Sequence, residues 1–205
     1  MGLYGEQVLP RLIDRVCGMR ANDRLRRRVC DGLQGRVLEV GFGSGRNVPF
    51  YPSGVSRVSA VEPVDLGWRL AAGRVAQSPV PVERAGLDGQ ALPFPDNSFD
   101  SALSTWTLCT IPDIALALRE IRRVLVPGAA FHFLEHGLAP DAKVRRWQDR
   151  LDPLQQVIAG GCHLNRDIRR LLEDAGFEIT EVDRFYDSPA PKAFAALSLG
   201  VAISP

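Results

Sequence analysis

The chain has 205 residues and a mass of 22.5 kDa, with 25 basic and 24 acidic side chains and a formal net charge of +1. At 45% hydrophobic and 24% charged it has the composition of a soluble globular protein, which excludes wholesale disorder and a strongly basic nucleic-acid-binding module. Folding at this length buries about 70% of the unfolded surface in one sizeable core, and no apolar run approaches the ~18 residues of a membrane-spanning helix.

The first 34 residues read as helical, with Val8, Leu9, Leu12, Ile13 and Val16 near the helical period and Pro10 in a first turn that tolerates it. The apolar run from Arg36 to Val40 is closed by Gly41, Gly43 and Gly45, the pattern of a buried strand entering a tight loop. A second strand, Arg57 to Glu62, ends at Pro63, followed by a helix from about Leu66 to Ala76 and a short strand near Val82–Ala85. Turn-forming residues from Leu92 to Asn97 precede a strand from Phe99 to Trp106 and a helix from Ile114 to Val124, which Pro127-Gly128 is expected to stop. A strand (Ala130 to Leu134) then leads to Glu135-His136-Gly137, and a helix from Ala142 to Ile158 is closed by Gly160–Gly161. Asn165 is placed to cap a helix from Arg166 to Ala175, and two further strands, Phe177 to Phe185 and Ala195 to Ile203, complete the chain. Strands alternating with helices specify a parallel α/β sheet with right-handed crossovers.

All but two of the basic residues, Lys143 and Lys192, are arginine, and the cluster from Arg24 to Arg28 reads as a solvated helix face. The cysteines Cys17, Cys30, Cys109 and Cys162 are widely separated and form no CxxC pair; they read as reduced thiols of a cytoplasmic protein, with no metal site.

Open α/β sheets bind ligands beyond the carboxyl ends of their strands. Five distinctive groups fall there in register: Gly41–Gly45, Glu62, Asp88, Thr105–Trp106 and Glu135–His136. The glycines let backbone bend sharply and approach a ligand, and a carboxylate at Glu62 can accept both hydroxyls of a ribose. A dinucleotide or another adenosine-containing cofactor fits this much. Nicotinamide sites favour G-x-G-x-x-G, whereas here Gly45 follows Gly43 by two and Arg46 and Asn47 come next. Glu39 beside the loop would repel a pyrophosphate and suits a ligand carrying an ammonium group, which favours a cofactor with an amino-acid portion.

The segments LEVGFGSG (38–45), AVEP (60–63), LDGQALPFPDNSFDSALST (87–105), LREIRRVLVPGAAFHFLEHG (118–137) and LLEDAGF (171–177) resemble, in order, those of the class I S-adenosylmethionine-dependent methyltransferases. The resemblance runs from about Leu33 to the C-terminus. Within the family the chain is most similar to the methyltransferase-like alkyl thiol S-methyltransferases and their small bacterial relatives, through Pro49-Phe50-Tyr51-Pro52, Leu108-Cys109, Phe133-Leu134-Glu135-His136, Trp147-Gln148, Leu151-Asp152-Pro153 and Gly161-Cys162-His163-Leu164. Animal members of that subgroup carry an N-terminal hydrophobic anchor, a stretch these 205 residues do not contain.

The resemblance implies a Rossmann-like, seven-stranded, mostly parallel sheet with helices on both faces and a C-terminal antiparallel strand. It implies S-adenosylmethionine as cofactor, S-adenosylhomocysteine as product, and a contact set by position: Glu39, Gly41, Gly43 and Gly45 around the methionine part and the sugar, Glu62 on the ribose hydroxyls, Pro63 beside the adenine. Asp88 would accept from the adenine amino group, with Gly89 and Gln90 offering backbone contacts and Thr105 and Trp106 near the sulfonium. Residues 1–34 are expected to cap an acceptor pocket over a cofactor-binding domain at 35–205, with Tyr4, Leu9, Ile13, Trp147 and Leu151 as apolar lining. The acceptor is expected to be a small apolar or amphipathic molecule, a thiol first, with no nucleic-acid partner and with room for peripheral contact with a membrane. A thiol needs no strong base, whereas an oxygen or carbon acceptor would call on His136 or His163; His132, mid-strand, reads as structural. Methylation of a quinone precursor or a lipid headgroup, and a cofactor-binding regulatory module, are the alternatives.

Overall fold

A computed structural model describes residues 4–187 and 190–205, without the side chains at positions 4 and 6, so the lining role expected of Tyr4 lies outside the described residues. After a π-helical turn (Tyr4–Val8) come α1 (Leu9–Cys17), α2 (Asp23–Cys30), β1 (Gly35–Val40), β2 (Val55–Val61), α3 (Asp65–Ala76), β3 (Val82–Gly86), β4 (Phe99–Thr105) and α4 (Ile114–Val124). The chain continues through β5 (Leu125–His136), α5 (Ala142–Ile158), α6 (Ile168–Asp174), β6 (Glu178–Tyr186), the short α7 (Lys192–Ala195) and β7 (Ala196–Ile203). The strands form one sheet in the order β3-β2-β1-β4-β5-β7-β6, with β1 to β5 parallel and β7 antiparallel to both β5 and β6. Strand order reverses between β1 and β4, which opens a crevice at their carboxyl ends.

Alternation along the strands divides the core. Leu38 and Val40 of β1 and Phe131 and Phe133 of β5 pack with Leu118 and Ile121 of α4 and Ile168 and Leu172 of α6. Val37, Leu103, Leu134 and Leu197 point the other way, onto Leu25, Val29 and Cys30 of α2. His132 shares that side, buried with Nδ1 3.0 Å from the Val29 carbonyl oxygen.

Residues 1–34 thus do two different things. The chain breaks at Gly18, and α2 is an integral part of the sheet's core, whereas α1 buries only Leu9. Pro10 stands in the first turn of α1, where its missing N–H costs no bond. Two boundaries depart from expectation. The chain leaves α4 at Leu125 straight into β5, before Pro127-Gly128; β5 shifts register against β4 there, so Pro127, which has no N–H, is not called on to donate to the ladder. The cap of α6 is Asp167, whose carboxylate accepts from Arg170 N, while Asn165 donates to Asp149 on α5.

Candidate functional site

The carboxyl ends of β1, β2 and β4 and the loop after β3 surround a cavity of about 860 Å³, roofed by α1 and by the turn after α5. Of the eleven expected cofactor residues, Gly41, Gly43, Glu62, Pro63, Asp88, Gly89, Gln90, Thr105 and Trp106 lie on its wall. Gly41, Gly43 and Gly45 all adopt positive φ. At Gly41 a Cβ would meet Thr107 Oγ1 at 1.9 Å, whereas at Gly43 it would meet only the Gly41 oxygen at 4.0 Å, on the cavity side. Gly45 is turned away, against Phe42 and Ala71.

Glu62 is buried at the end of β2. Its Oε2 accepts from Gly43 N at 2.6 Å and its Oε1 from Val64 N at 2.8 Å, so one carboxylate holds the glycine turn and the start of α3 together. Burial raises its pKa, and the two backbone N–H groups work against that rise. Each oxygen keeps a further lone pair for a ligand hydroxyl. Asp88 accepts from both N and Nε2 of Gln90, whose own oxygen accepts from Asp113 N.

Glu39 does not reach the cavity. It shares the α2-facing side of β1 with Val37, and its fully buried carboxylate accepts from Asn47 Nδ2 at 2.9 Å and from the Tyr51 hydroxyl. Burial pushes its pKa up to about 7. Asn47 also donates to Thr105 Oγ1 at 3.0 Å, and Arg26 donates to Asn47 Oδ1 at 2.5 Å and to the Cys17 carbonyl at 3.1 Å. Arg26 is buried, lines the cavity, and lies 4.8 Å from the centre of the Trp106 ring. Trp106 itself holds φ at 51°, an uncommon conformation for a residue with a Cβ. The conformation is pinned by Trp106 N donating to the Leu134 oxygen and Thr107 N to Glu135 Oε2, each at 2.8 Å.

A second tie joins α1 to the glycine turn. Asp14 accepts from Ser44 Oγ at 2.5 Å and from Arg46 Nε at 2.7 Å. Burial raises the Asp14 pKa, but these bonds outweigh it and hold the carboxyl below its usual range. Replacing Asp14 by alanine is expected to cost about 1–2 kcal/mol of stability, read as a lower urea midpoint, with a smaller loss of cofactor affinity.

A family model for the methyltransferase domain matches residues 38–133. The thiol S-methyltransferase TMT1A of Homo sapiens is 37% identical over 147 residues, covering 69% of this chain and 59% of the relative. TMT1B of Homo sapiens is 34% identical over 161 residues, covering 75% and 65%. The chain therefore spans roughly 60% of the length of these relatives. Among solved structures, an S-adenosylmethionine-dependent methyltransferase from Mesorhizobium loti superposes with a TM-score of 0.66 at 21% identity, covering 91% of this chain and 99% of that one. The [4+2]-cyclase SpnF superposes at 0.71 with 22% identity, over 89% and 80%, a likeness of fold alone. Residues 38–133 carry a methyltransferase domain, and the chain has the fold of the solved S-adenosylmethionine-dependent methyltransferases.

The family's cofactor fits the residues present: the opening left by the missing side chain at Gly43, the spare acceptor capacity of buried Glu62 and the cationic groups of Arg26 and Arg46 all face one cavity of ligand size. The protein presents Leu9, Ile13 and Val157 on the cavity wall. Trp147 and Leu151, expected there, are not on the wall; Trp147 is exposed on α5, with the Arg150 guanidinium 5.4 Å from its ring.

Neither His136 nor His163 lines the cavity. His163 Nδ1 lies 3.1 Å from Asp152 Oδ2, and its main-chain N donates to the Cys109 oxygen. His136 Nδ1 lies 3.8 Å from Cys162 Sγ, which is 3.4 Å from Cys109 Sγ. The sequence separation of the cysteines had suggested no cluster; the fold makes one, because the loops after β4 and after α5 meet behind the cavity wall. The contact with Cys109, aided by His136, lowers the Cys162 thiol pKa, and the same contact with burial raises that of Cys109.

Proposed function

We propose that this methyltransferase transfers the methyl group of S-adenosylmethionine to a small thiol. The observation that carries the reading is the group of thiol S-methyltransferases to which the chain is 32–37% identical. The cavity supports it: His136 and His163, which could serve an oxygen or carbon acceptor as base, do not line it, and a thiol, with a pKa near ~8.5, supplies its own thiolate.

In this reading Glu62 receives the two ribose hydroxyls, Pro63 lies beside the adenine, and Asp88, Gly89 and Gln90 meet the adenine edge. Thr105 and Trp106 border the sulfonium, with Gly41 and Gly43 along the methionine part. Arg26 and Arg46 suit its carboxylate. Glu39 and Gly45 act at one remove, Glu39 by holding Asn47 and Gly45 by seating the turn on Phe42. The bound cofactor supplies an already activated methyl carbon on a positively charged sulfur. The protein's task is to align the acceptor with that carbon and exclude water, which α1 and the turn after α5 do as the cap of the acceptor side. A small apolar acceptor matches the lining by Leu9, Ile13 and Val157, and reduced, unpaired cysteines suit a cytoplasmic setting.

One observation favours a second reading. Leu12, Ile13 and Val16 of α1 and Leu154, Val157 and Ile158 of α5 are exposed, and Ile13 and Val157 among them line the cavity, although no described helix is long and apolar enough to cross a membrane. A phosphatidylethanolamine N-methyltransferase of Cereibacter sphaeroides is 26% identical over 72% of each chain. A lipid headgroup or quinone precursor is then the acceptor.

Methyl-labelled cofactor presented with alkyl thiols, quinols and phospholipid vesicles separates the two. The expected result is product formation with thiols, its kcat/KM rising about tenfold per pH unit below the thiol's pKa as the thiolate fraction grows. Turnover of quinols or headgroups with inert thiols would reverse the assignment.

A further inference from the structure

The cluster behind the wall has a geometry of its own. Cys109 lies in the loop between β4 and α4, His136 ends β5, and Cys162 lies in the loop between α5 and α6. Their three donor atoms, two sulfurs and an imidazole nitrogen, all lie within 4.8 Å of one another, with both cysteines buried. A tetrahedral cation bound ~2.3 Å from sulfur and ~2.05 Å from nitrogen sets sulfurs about 3.8 Å apart and sulfur and nitrogen about 3.6 Å apart. The observed 3.4 Å and 3.8 Å sit within a few tenths of an ångström of those values. A disulfide, by contrast, requires the sulfurs to approach to ~2.05 Å.

We propose that Cys109, Cys162 and His136 form a binding site for a thiophilic divalent cation of the zinc class. Two thiolates and a neutral imidazole bring the charge of such a cation to zero, which suits a buried site better than unpaired ionised sulfur does. The surrounding backbone is already tied: Arg166 donates to the Leu108 oxygen, and His163 N donates to the Cys109 oxygen at 2.8 Å. The three ligands come from three separate elements, and Thr107, Thr110, Gly160 and Gly161, close to Cys109 and Cys162 in the chain, line the cavity. The cation therefore clamps the inner wall on the acceptor side from behind.

The test uses the full chain, reduced with a phosphine and freed of metal by chelation. Titration with Co2+ is expected to raise a near-ultraviolet thiolate-to-metal band that saturates at one ion per chain and is bleached by one equivalent of Zn2+. Cys162→Ser and His136→Ala are each expected to weaken Zn2+ binding at least tenfold, the size of effect seen when a metal site loses supporting groups. X-ray absorption of the zinc-loaded wild type needs no variant to fold, and is expected to show two sulfur neighbours near ~2.3 Å. Absence of the band at saturating Co2+, only oxygen and nitrogen neighbours around zinc, or a band that persists in a Cys109→Ser/Cys162→Ser double variant overturns the site. None of these readouts depends on methyl transfer, so failure here leaves the assigned chemistry standing.

Discussion

Replacing Glu62 by alanine is expected to weaken S-adenosylmethionine binding roughly 100- to 1,000-fold, about 3–4 kcal/mol, measured by calorimetry on the reduced protein. Two losses combine. Hydrogen bonds to a charged acceptor contribute ~1.5–3 kcal/mol each, and the proposed ribose hydroxyls supply two. The same carboxylate also anchors Gly43 N at 2.6 Å and Val64 N at 2.8 Å, so its removal frees the glycine turn that the cofactor must find already shaped. The simple sum is discounted because water reaches the released N–H groups. Arg84 donates to the Glu62 main-chain oxygen at 3.0 and 2.7 Å, so the end of β2 should keep its place in the variant. Glu62→Gln, which keeps one acceptor oxygen but turns an amide N–H2 toward one of the backbone donors, should fall between the two. An affinity within threefold of wild type for the alanine variant would remove Glu62 from the cofactor site.

Local patterns made the outline legible. Apolar runs closed by glycine or proline located β1 and β2, and the spacing of Ile114, Leu118 and Ile121 located α4, because each signal lies within one element and one buried face. The placement of Glu62 was legible for the same reason: it ends a strand a fixed distance from a glycine turn. What was hidden depends on contacts between distant segments. Glu39 was assigned to the ligand because it neighbours the turn, but strand alternation puts its side chain with Val37, on the α2 side of β1. Asp14 reaches Ser44 across 30 residues and Cys109 meets Cys162 across 53, with no intervening periodicity to announce either. The left-handed turn at Trp106 has no sequence signature, since its stabilisation comes from Leu134 and, one residue on, Glu135 of the neighbouring strand.

Exchange of Glu135 for glutamine is expected to raise stability at pH 8 by about 3 kcal/mol relative to wild type while changing it little near pH 5. Glu135 is fully buried at the end of β5, and burial pushes its pKa up to about 7 against the ordinary 4.5. Between those two values the folded protein holds a proton that the unfolded chain has released. The stabilising contribution of that proton is complete below about pH 4.5 and is lost as pH rises through 7. A gap of roughly 2.5 pH units at ~1.36 kcal/mol each gives the stated size. Glutamine can reproduce the contacts: its oxygen takes over the Thr107 N–H, which donates at 2.8 Å, and its amide can donate to Ser104 Oγ, whose hydroxyl now donates to Glu135 at 2.7 Å and is free to turn. Glu39, which has a similarly elevated pKa and no electrostatic link to Glu135, persists in the variant and cancels in the comparison, whereas His136, Cys109 and Arg166 feel the Glu135 charge and their response is part of the measured difference. Urea unfolding of both proteins at pH 5 and pH 8 measures the difference of differences. An equal gap at the two pH values would mean that Glu135 enters the folded state ionised, its charge held by Ser104 and by the Thr107 and Leu108 N–H groups.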